Sequence, residues 1–319
     1  MSGSISGIPL VDLSLYTQGN EAQKQQFVAD LGKAFVEVGF VGVANHGIPS
    51  ELVKEFYTQS KQFFAQPDET KSKYEVKGLA GQRGYTSFGK EHAKQSNVGD
   101  LKEFFQIGQT VPASHELGKD YPANVFVDEQ PNFLQVGVDL YRAFEKSGTA
   151  LLEAIAIFLG LEKDYFVPHI TYGNSILRAI HYPPITSEPK SAIRAEEHED
   201  INLITLLVGA SADGLQVKGT ANEWLDVKAV GDIIVINVGD MLQRLTNNKL
   251  KSTTHRVVNP PRELWHTDRL SIPFFLHPRG DMDLTCLDNC VAAGQTPAYE
   301  PITAGGYLDE RLREIGLKK

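Results

Sequence analysis

The stretch His198-Glu-Asp-Ile-Asn-Leu-Ile-Thr-Leu-Leu-Val208 joins a possible metal-binding pattern to a short apolar strand, Leu203 to Val208. After residue 172 such strands recur, rich in β-branched and aromatic residues and separated by Gly, Asn, Asp or Pro. The others are Ile176 to Tyr182, Leu215 to Val217, Trp224 to Val227, Ile233 to Val238, Ser252 to Val258 and Leu270 to Leu276. Because the pattern places no helix between them, it predicts an antiparallel barrel or jelly roll rather than a parallel α/β sheet.

Upstream of residue 172 the apolar residues mostly follow a helical spacing. Steps of three and four residues predict amphipathic helices over 21–38, 50–64 and 132–159. The segment Gly39 to Ala44 between the first two is predicted to be a strand, and Pro49-Ser50 is predicted to start and cap the second helix. The chain is therefore expected to be a mixed α and β protein with a helical N-terminal region.

Composition and charge exclude several classes of protein. Among 319 residues, 31 Lys and Arg stand against 40 Asp and Glu, a net charge of −9 that disfavours nucleic acid and anionic membranes as partners. The longest apolar stretch, Ala150 to Leu161, is well short of the roughly 20 residues that cross a bilayer. The N-terminus lacks the features of a secretion signal, and Cys286 and Cys290 are expected to be reduced structural thiols. These features predict a cytoplasmic protein.

Three residues could form a metal site. If the chain is already extended at His198, alternation places His198 and Asp200 on one face and Glu199 on the other. His255, in the β-branched segment 251–257, could supply a third ligand from a neighbouring strand. Two imidazoles and one carboxylate leave octahedral positions open, as in non-haem Fe(II) sites, although zinc accepts the same ligands and an H-x-D pair can be purely structural.

Arg269 and Ser271 are two residues apart and should lie on the same face of a strand. An arginine that faces the interior of a barrel requires an anion, and its planar guanidinium suits a carboxylate, with Ser271 adding a hydrogen bond. An internal Asp or Glu could play that part. The position of Arg269, 14 residues after the possible ligand His255, favours the carboxylate of a bound co-substrate.

These residues belong to a series of ordered motifs that resembles the Fe(II)/2-oxoglutarate-dependent oxygenases of the isopenicillin N synthase type. In the C-terminal half the motifs are 198–207, 213–217, 238–243, 245–248, 251–257 and 269–275. In the N-terminal half they are Ile8-Pro-Leu-Val-Asp12, 39–48, Arg83-Gly-Tyr85 and Asp100-Leu-Lys-Glu-Phe-Phe105. The resemblance therefore spans nearly the whole chain.

The resemblance implies a double-stranded β-helix, or jelly-roll, core over residues 172–281, an N-terminal helical region over 1–171 and a C-terminal tail, 282–319, packed on the core. By position, the iron ligands would be His198, Asp200 and His255. The R-x-S clamp for the co-substrate carboxylate would be Arg269 and Ser271, and Tyr182 matches a tyrosine that helps to hold that carboxylate. Many plant members have Asn at the position of Ile180. That amide is absent here, so the motif around Tyr182 matches the family incompletely.

The implied activity couples oxidative decarboxylation of 2-oxoglutarate, with O2 and Fe(II), to hydroxylation, desaturation or ring closure of a small organic substrate. Two alternatives remain at this stage: an oxidase that needs no 2-oxoglutarate, and a β-barrel that binds a metal or small acid without turnover. We expect the substrate to be selected by the segment 82–99, the strand end at Phe275 and the tail after Asp283. The motifs identify neither the substrate nor the oligomeric state.

Three polar residues near these motifs are predicted to lie outside the site. His46, in Asn45-His46-Gly47, is interpreted as a turn residue that satisfies local backbone groups. His181 should point to the face of its strand opposite Tyr182, and Glu199 should point away from the metal.

Overall fold

The computed structural model describes residues 3–5, 7–79, 81–91, 99–119, 121–189, 191–228 and 231–314. Its thirteen strands are β1 (Gly3–Ile5), β2 (Ile8–Asp12), β3 (Phe40–Ala44), β4 (Gly84–Thr86), β5 (Glu103–Gly108), β6 (Ile176–Tyr182), β7 (Ala195–His198), β8 (Ile204–Val208), β9 (Leu215–Lys218), β10 (Trp224–Asp226), β11 (Ile234–Val238), β12 (His255–Val257) and β13 (Arg269–Leu276). The α-helices are α1 (Ser14–Thr17), α2 (Glu21–Glu37), α3 (Ser50–Phe64), α4 (Asp68–Ser72), α5 (Pro131–Phe158), α6 (Val167–Ile170), α7 (Asp240–Leu245) and α8 (Ala304–Glu314).

Two sheets form the β core. The large sheet has the order β1-β2-β3-β11-β8-β13-β6-β5-β4, and the small sheet has the order β10-β9-β12-β7. Neighbouring strands of the described chain run antiparallel, except that β2 and β3 run parallel. A cavity of about 820 Å³ is lined by residues of both sheets. This is the jelly-roll architecture that the sequence predicts.

Strand β13 shows how one strand serves both the core and the cavity. Arg269, Ser271, Pro273 and Phe275 line the cavity, because side chains two residues apart share a face. The intervening residue Phe274 packs on the other face against helix α5, with its ring 4.9 Å from that of Tyr141 and 5.3 Å from that of Phe144. The cavity is thus built on a sheet whose opposite face is anchored in the hydrophobic core.

Helix α5 lies against the outer face of the large sheet, in contact with β5, β6, β8 and β13. Its apolar stripe includes Leu140, Phe144, Leu151 and Ile155, all of which are buried. At Gly148 a Cβ atom would lie 2.3 Å from the Leu276 side chain, so glycine allows the helix to approach the sheet closely. This packing holds the strands that carry the cavity residues in a fixed position.

The secondary structure differs from the sequence prediction in several places, one of which is β7, a strand that was not predicted. Helix α7 lies between β11 and β12, where no helix was expected, because its six residues are too few to show a helical period. The strand predicted over Gly39 to Ala44 is present as β3, but the large sheet also receives β1, β2, β4 and β5 from the mostly helical N-terminal region; β5, for example, is buried along its whole length. Ser50 does not cap α3: its hydroxyl donates to Asp232, and the helix has no side-chain cap.

Candidate active site

His198 and His255 are directly opposite each other on the antiparallel strands β7 and β12. Their ring centroids are 4.4 Å apart. Nδ1 of His198 lies 2.7 Å from the Glu196 carbonyl oxygen, and Nδ1 of His255 lies 3.2 Å from that of Thr253. Donation to these carbonyls leaves Nε2 of each ring free as a lone-pair donor, which is the usual arrangement of metal-binding histidines.

Asp200 completes the group. One ligand atom from each of His198, Asp200 and His255 can be chosen so that all lie within 4.8 Å of one another, and Nε2 of His255 is 3.9 Å from Oδ1 of Asp200. The second carboxylate oxygen, Oδ2, accepts hydrogen bonds from Thr205 Oγ1 at 2.6 Å and from Asn237 Nδ2 at 2.8 Å. These two donors fix the carboxylate so that Oδ1 remains available on the side of the histidines.

The predicted route by which His198 and Asp200 come together is wrong in one respect. They do not alternate along one strand: His198 ends β7 in the small sheet, and Asp200 lies in the connection to β8 of the large sheet. Strand β7 also carries a bulge, because Ala195 pairs with Val257 whereas His198 pairs with His255. The extra residue changes the direction of the side chains at the end of β7, as bulges beside active sites commonly do.

The protonation states of His198 and Asp200 suit a metal ion. Burial lowers the pKa of His198 to about 4, helped by the nearby His255, so this imidazole is neutral at pH 7. Burial alone would raise the pKa of Asp200, but both histidines and the hydrogen bonds from Thr205 and Asn237 lower it overall. A neutral imidazole and an ionised carboxylate are the forms that bind metal.

Arg269 lies on the floor of the cavity and is only 2% exposed. In the strand register Arg269 on β13 lies directly opposite Tyr182 on β6. Its Nε donates to the Ala212 carbonyl at 3.0 Å. Its Nη1 is buried without an acceptor, and no Asp or Glu of the described chain forms an ion pair with it. The alternative of an internal carboxylate partner is therefore not supported. Ser271, also buried, lines the same cavity two residues along the strand.

The same cavity is lined by all six residues predicted from the sequence: His198, Asp200, His255, Arg269, Ser271 and Tyr182. Sequence reasoning missed Thr205 and Asn237, which hold Asp200. Their signal was a polar residue inside an apolar strand, Ile-Thr-Leu-Leu-Val in β8 and Ile-Val-Ile-Asn-Val in β11. Burying a hydroxyl or an amide is unfavourable unless it has a hydrogen-bond partner, so both residues indicate a buried polar site.

A wall of paired charges, also missed from the sequence, closes one side of the cavity. Lys102 Nζ lies 2.7 Å from Glu91 Oε1 and 2.8 Å from Asp100 Oδ2. Arg178 Nη1 lies 3.2 Å from the same Glu91 oxygen, and Nε donates to Gln106 Oε1 at 3.0 Å. Arg178 and Gln106 lie within β6 and β5, whereas Glu91, Asp100 and Lys102 lie in the segment before β5, and only folding brings them together.

The C-terminal part of the chain also reaches the cavity. Leu308, Arg311 and Leu312 of α8 contribute to its lining. Arg311 is 3.7 Å from Asp240 Oδ2, which also accepts a hydrogen bond from Tyr307 at 3.1 Å. Of the segments expected to select the substrate, Gln82, Glu91 and Phe275 also line the cavity, whereas residues 92–98 lie outside the described part of the chain.

Of the three polar residues predicted to lie outside the site, His46 and His181 are not among the residues that line the cavity, whereas Glu199 lines it. The backbone amide of Ile48 donates to Nδ1 of His46 at 3.1 Å, as expected for a turn residue. His181 Nδ1 lies 2.7 Å from Glu103 Oε1, and its ring stacks on Phe64. Glu199 accepts a hydrogen bond from Thr254 Oγ1 at 2.9 Å.

This fold and site define a family of oxygenases, and comparison with known proteins agrees. Residues 8–129 match the family described as "non-haem dioxygenase in morphine synthesis N-terminal", and residues 173–278 match the 2OG-Fe(II) oxygenase superfamily. The chain belongs to the 2OG-Fe(II) oxygenases of the isopenicillin N synthase-like family. It is accordingly an Fe(II)- and 2-oxoglutarate-dependent dioxygenase that uses O2 as co-substrate.

Relatives of the chain share almost its whole length. It is 31% identical to the 2-oxoglutarate-Fe(II) type oxidoreductase hxnY of Emericella nidulans, covering 98% of this chain and 92% of that protein. It is 35% identical to the proline hydroxylase buaE of Petromyces alliaceus, covering 92% and 95% respectively. No helix in the described part of the chain is long and apolar enough to cross a membrane.

Solved structures show the same similarity. A 2OG-Fe(II) oxygenase family protein from Caulobacter crescentus superposes with a TM-score of 0.86 at 41% identity, covering 99% of this chain and 100% of that one. A full-length protein of Neurospora crassa, solved in complex with alpha-KG, superposes with a TM-score of 0.85 at 30% identity, covering 96% and 95%. A further structure of the same Neurospora crassa protein contains alpha-KG and thymine.

Proposed function

We propose that His198, Asp200 and His255 bind the Fe(II) of this oxygenase and that Arg269 and Ser271 hold the distal carboxylate of 2-oxoglutarate, with Tyr182 beside it. The observation that carries the proposal is the unpartnered Nη1 of Arg269, buried in the same cavity as the His-Asp-His group. A buried guanidinium without a carboxylate partner is unfavourable, and an anionic ligand removes that penalty. One cavity therefore provides a metal-binding group at one place and a carboxylate-binding group at another.

When they are bound, Fe(II), 2-oxoglutarate and O2 supply the oxidising chemistry, in which 2-oxoglutarate is converted to succinate and CO2 while the second substrate is oxidised. The contribution of this chain is positional. Thr205 and Asn237 hold Asp200, backbone carbonyls orient both histidines, and Arg269 aligns the co-substrate along the barrel. The side chains of α8 and the charged wall limit the access of water to the reacting groups.

The second substrate in this proposal is a small organic molecule that enters between the two sheets and is hydroxylated. A cavity of about 820 Å³ holds the co-substrate and a second small molecule together. The thymine bound to the Neurospora crassa protein, a relative at 29% identity, supports a substrate of that size. We also propose a cytoplasmic enzyme that does not bind nucleic acid, consistent with its free cysteines and net charge of −9.

We further propose that the chain is organised as it was predicted from sequence: an N-terminal region over 1–171, the jelly-roll core over 172–281 and a tail over 282–319. The described part of the tail, 282–314, supports this division, since α8 packs on the core and lines the cavity.

The ligand assignment is tested by Fe(II)-dependent succinate formation from 2-oxoglutarate. His198→Ala and Asp200→Ala should abolish it, because each removes a metal ligand. Glu199→Gln is the matched control, since this carboxylate lies between the two proposed ligands in sequence but bonds to Thr254, and it should retain turnover. Full turnover in either alanine variant, with Fe(II) still bound, would contradict the assignment.

A further inference from the structure

We propose that Tyr57 and Ser211 are positioning residues for 2-oxoglutarate. They hold the loop that places the Arg269 guanidinium, and in this way they set the length of the 2-oxo acid that the clamp accepts. This clamp loop, residues 209–212, lies between β8 and β9. The inference rests on the proposed function, because it assumes that Arg269 binds the distal carboxylate of 2-oxoglutarate.

The clamp loop holds the side chain of Arg269. Nε of Arg269 donates to the Ala212 carbonyl oxygen at 3.0 Å, whereas Nη1 is buried without an acceptor. Because the guanidinium is a rigid plane, a hydrogen bond at Nε limits the directions in which both Nη atoms can point. The position of Ala212 therefore decides where the clamp presents its free donor.

A second, smaller cavity of about 250 Å³ adjoins the guanidinium. Residues 210–213 form part of its lining, and four residues of the barrel strands line both cavities: Leu207, Leu215, Val235 and Arg269. The open space leaves one side of the guanidinium without the close packing that usually fixes a buried side chain. The position of Arg269 is thus left to the Ala212 carbonyl and to the Tyr182 ring, whose centre is 4.9 Å from the guanidinium carbon.

Ser211 ties the clamp loop to β13 at the residue that follows Arg269. The backbone amide of Ser211 donates to the Leu270 carbonyl at 3.0 Å, and its hydroxyl oxygen accepts a hydrogen bond from the Leu270 amide at 2.8 Å. Leu270 is buried, so loss of this acceptor would leave its amide short of a partner, which is unfavourable. The serine hydroxyl therefore keeps the loop and the strand in one fixed arrangement.

Tyr57 ties the other end of the clamp loop to the N-terminal helical region. Its hydroxyl donates to the Gly209 carbonyl at 2.5 Å. Burial raises the pKa of Tyr57, although the nearby charge of Arg269 opposes this shift, so the hydroxyl is a donor at neutral pH. The preceding residue, Phe56, stacks on Phe133 of α5 with ring centroids 5.6 Å apart, so the helix that carries Tyr57 is itself held in place.

Loss of either anchor should allow the guanidinium to move towards the smaller cavity. Such a movement lengthens the space between the metal-binding group and the clamp. The six-carbon acid 2-oxoadipate is one methylene group longer than 2-oxoglutarate and needs that additional length, whereas 2-oxoglutarate is aligned less well by a displaced guanidinium. The two anchors therefore favour the five-carbon acid over the six-carbon acid.

The test compares the binding of 2-oxoglutarate and 2-oxoadipate to the Fe(II)-loaded enzyme. Anaerobic isothermal titration gives the affinity for each acid in the wild type, in Tyr57→Phe and in Ser211→Ala. The wild type should bind 2-oxoglutarate more tightly than 2-oxoadipate. Each variant should bind 2-oxoglutarate about two- to tenfold more weakly, the effect of one lost hydrogen bond, and its preference for 2-oxoglutarate over 2-oxoadipate should fall severalfold.

Two further variants separate positioning from general stability. Ser211→Thr keeps the hydroxyl group and should retain the wild-type preference. Tyr121→Phe removes a hydroxyl that donates to the Tyr172 carbonyl at 2.7 Å, away from the clamp, and should change neither affinity. Partial unfolding of a variant lowers the number of binding sites in the titration, but it does not change the ratio of the two affinities.

Three outcomes would overturn the inference. They are an unchanged preference in either Tyr57→Phe or Ser211→Ala, a wild type that binds both acids equally, and an equal change of preference in Tyr121→Phe. Failure of the proposed function is distinct, because it would appear as an Arg269→Met variant that binds both acids as tightly as the wild type does.

Discussion

Arg269 and Tyr182 face each other directly across strands β13 and β6, with the guanidinium carbon 4.9 Å from the centre of the tyrosine ring. The register of the two strands sets this contact, and both side chains are almost fully buried. Tyr182 therefore supports the cation from one side while Nη1 remains free for a ligand. The proposed clamp is thus largely formed without a ligand, which would reduce the cost of ordering it on binding.

The first prediction concerns Arg269. Arg269→Met should weaken 2-oxoglutarate binding by about 30-fold or more, because removing one member of a buried charge pair costs about 2–5 kcal/mol. Isothermal titration of the metal-loaded protein measures the affinity. Arg194→Met is the control: Arg194 is equally buried and 5.9 Å from the Tyr182 ring, but its Nη2 donates to the Thr267 carbonyl. Equal losses of affinity in both variants would argue against a direct role for Arg269.

The second prediction concerns the neutral members of the clamp. Ser271→Ala and Tyr182→Phe should each raise the KM for 2-oxoglutarate by about 2- to 13-fold, since one hydrogen bond contributes about 0.5–1.5 kcal/mol. The kcat measured at saturating 2-oxoglutarate should change less than the KM. An unchanged KM in Tyr182→Phe would show that the hydroxyl of Tyr182 does not contribute to 2-oxoglutarate binding and that only its ring supports Arg269.

The third prediction concerns the two donors that hold Asp200. Thr205→Val and Asn237→Leu should each reduce Fe(II) affinity by about 10- to 100-fold, because outer partners of metal ligands have effects of this size. Competition with a metal chelator provides the affinity. Thr246→Val is the matched control, since this buried hydroxyl bonds to Leu242 and Leu250 away from the cavity. If all three variants lost metal equally, the effect would be one of general stability.

The fourth prediction concerns Asp240, the partner of Arg311. Burial raises its pKa from 3.8 to about 6, so the folded state binds a proton more tightly than the unfolded state does. The stability gained from this proton is fully present below pH 3.8 and is lost as the pH rises through 6. Asp240→Asn cannot ionise. Its stability relative to wild type should therefore be higher at pH 7.5 than at pH 4.5, by about 2 kcal/mol.

Urea unfolding at the two pH values measures this difference. Asp226→Asn, at an exposed position of β10, controls for the exchange of a carboxyl group for an amide. A relative stability of Asp240→Asn that is independent of pH would contradict a raised pKa in the folded protein.

Much of this architecture could be predicted because it depends on local spacing. Alternation along 269–275 predicted which residues face the cavity, and helical spacing over 132–159 predicted the long helix α5 within a residue of its ends. The single-strand relation between His198 and Asp200 was wrong because a bulge and a change of sheet intervene. Neither feature has a period that can be recognised in the sequence.

The residues proposed to bind metal and carboxylate could be predicted from the chain itself, because residue type and period-two spacing are local properties. Three features depended on folding. They are the contact of His255 with His198, the two hydrogen bonds to Asp200, and the ion pairs among Glu91, Asp100, Lys102 and Arg178. These contacts join residues far apart in the chain, so they are set by strand register and sheet packing. The motifs therefore indicate the reaction, and the folded cavity determines which molecule can undergo it.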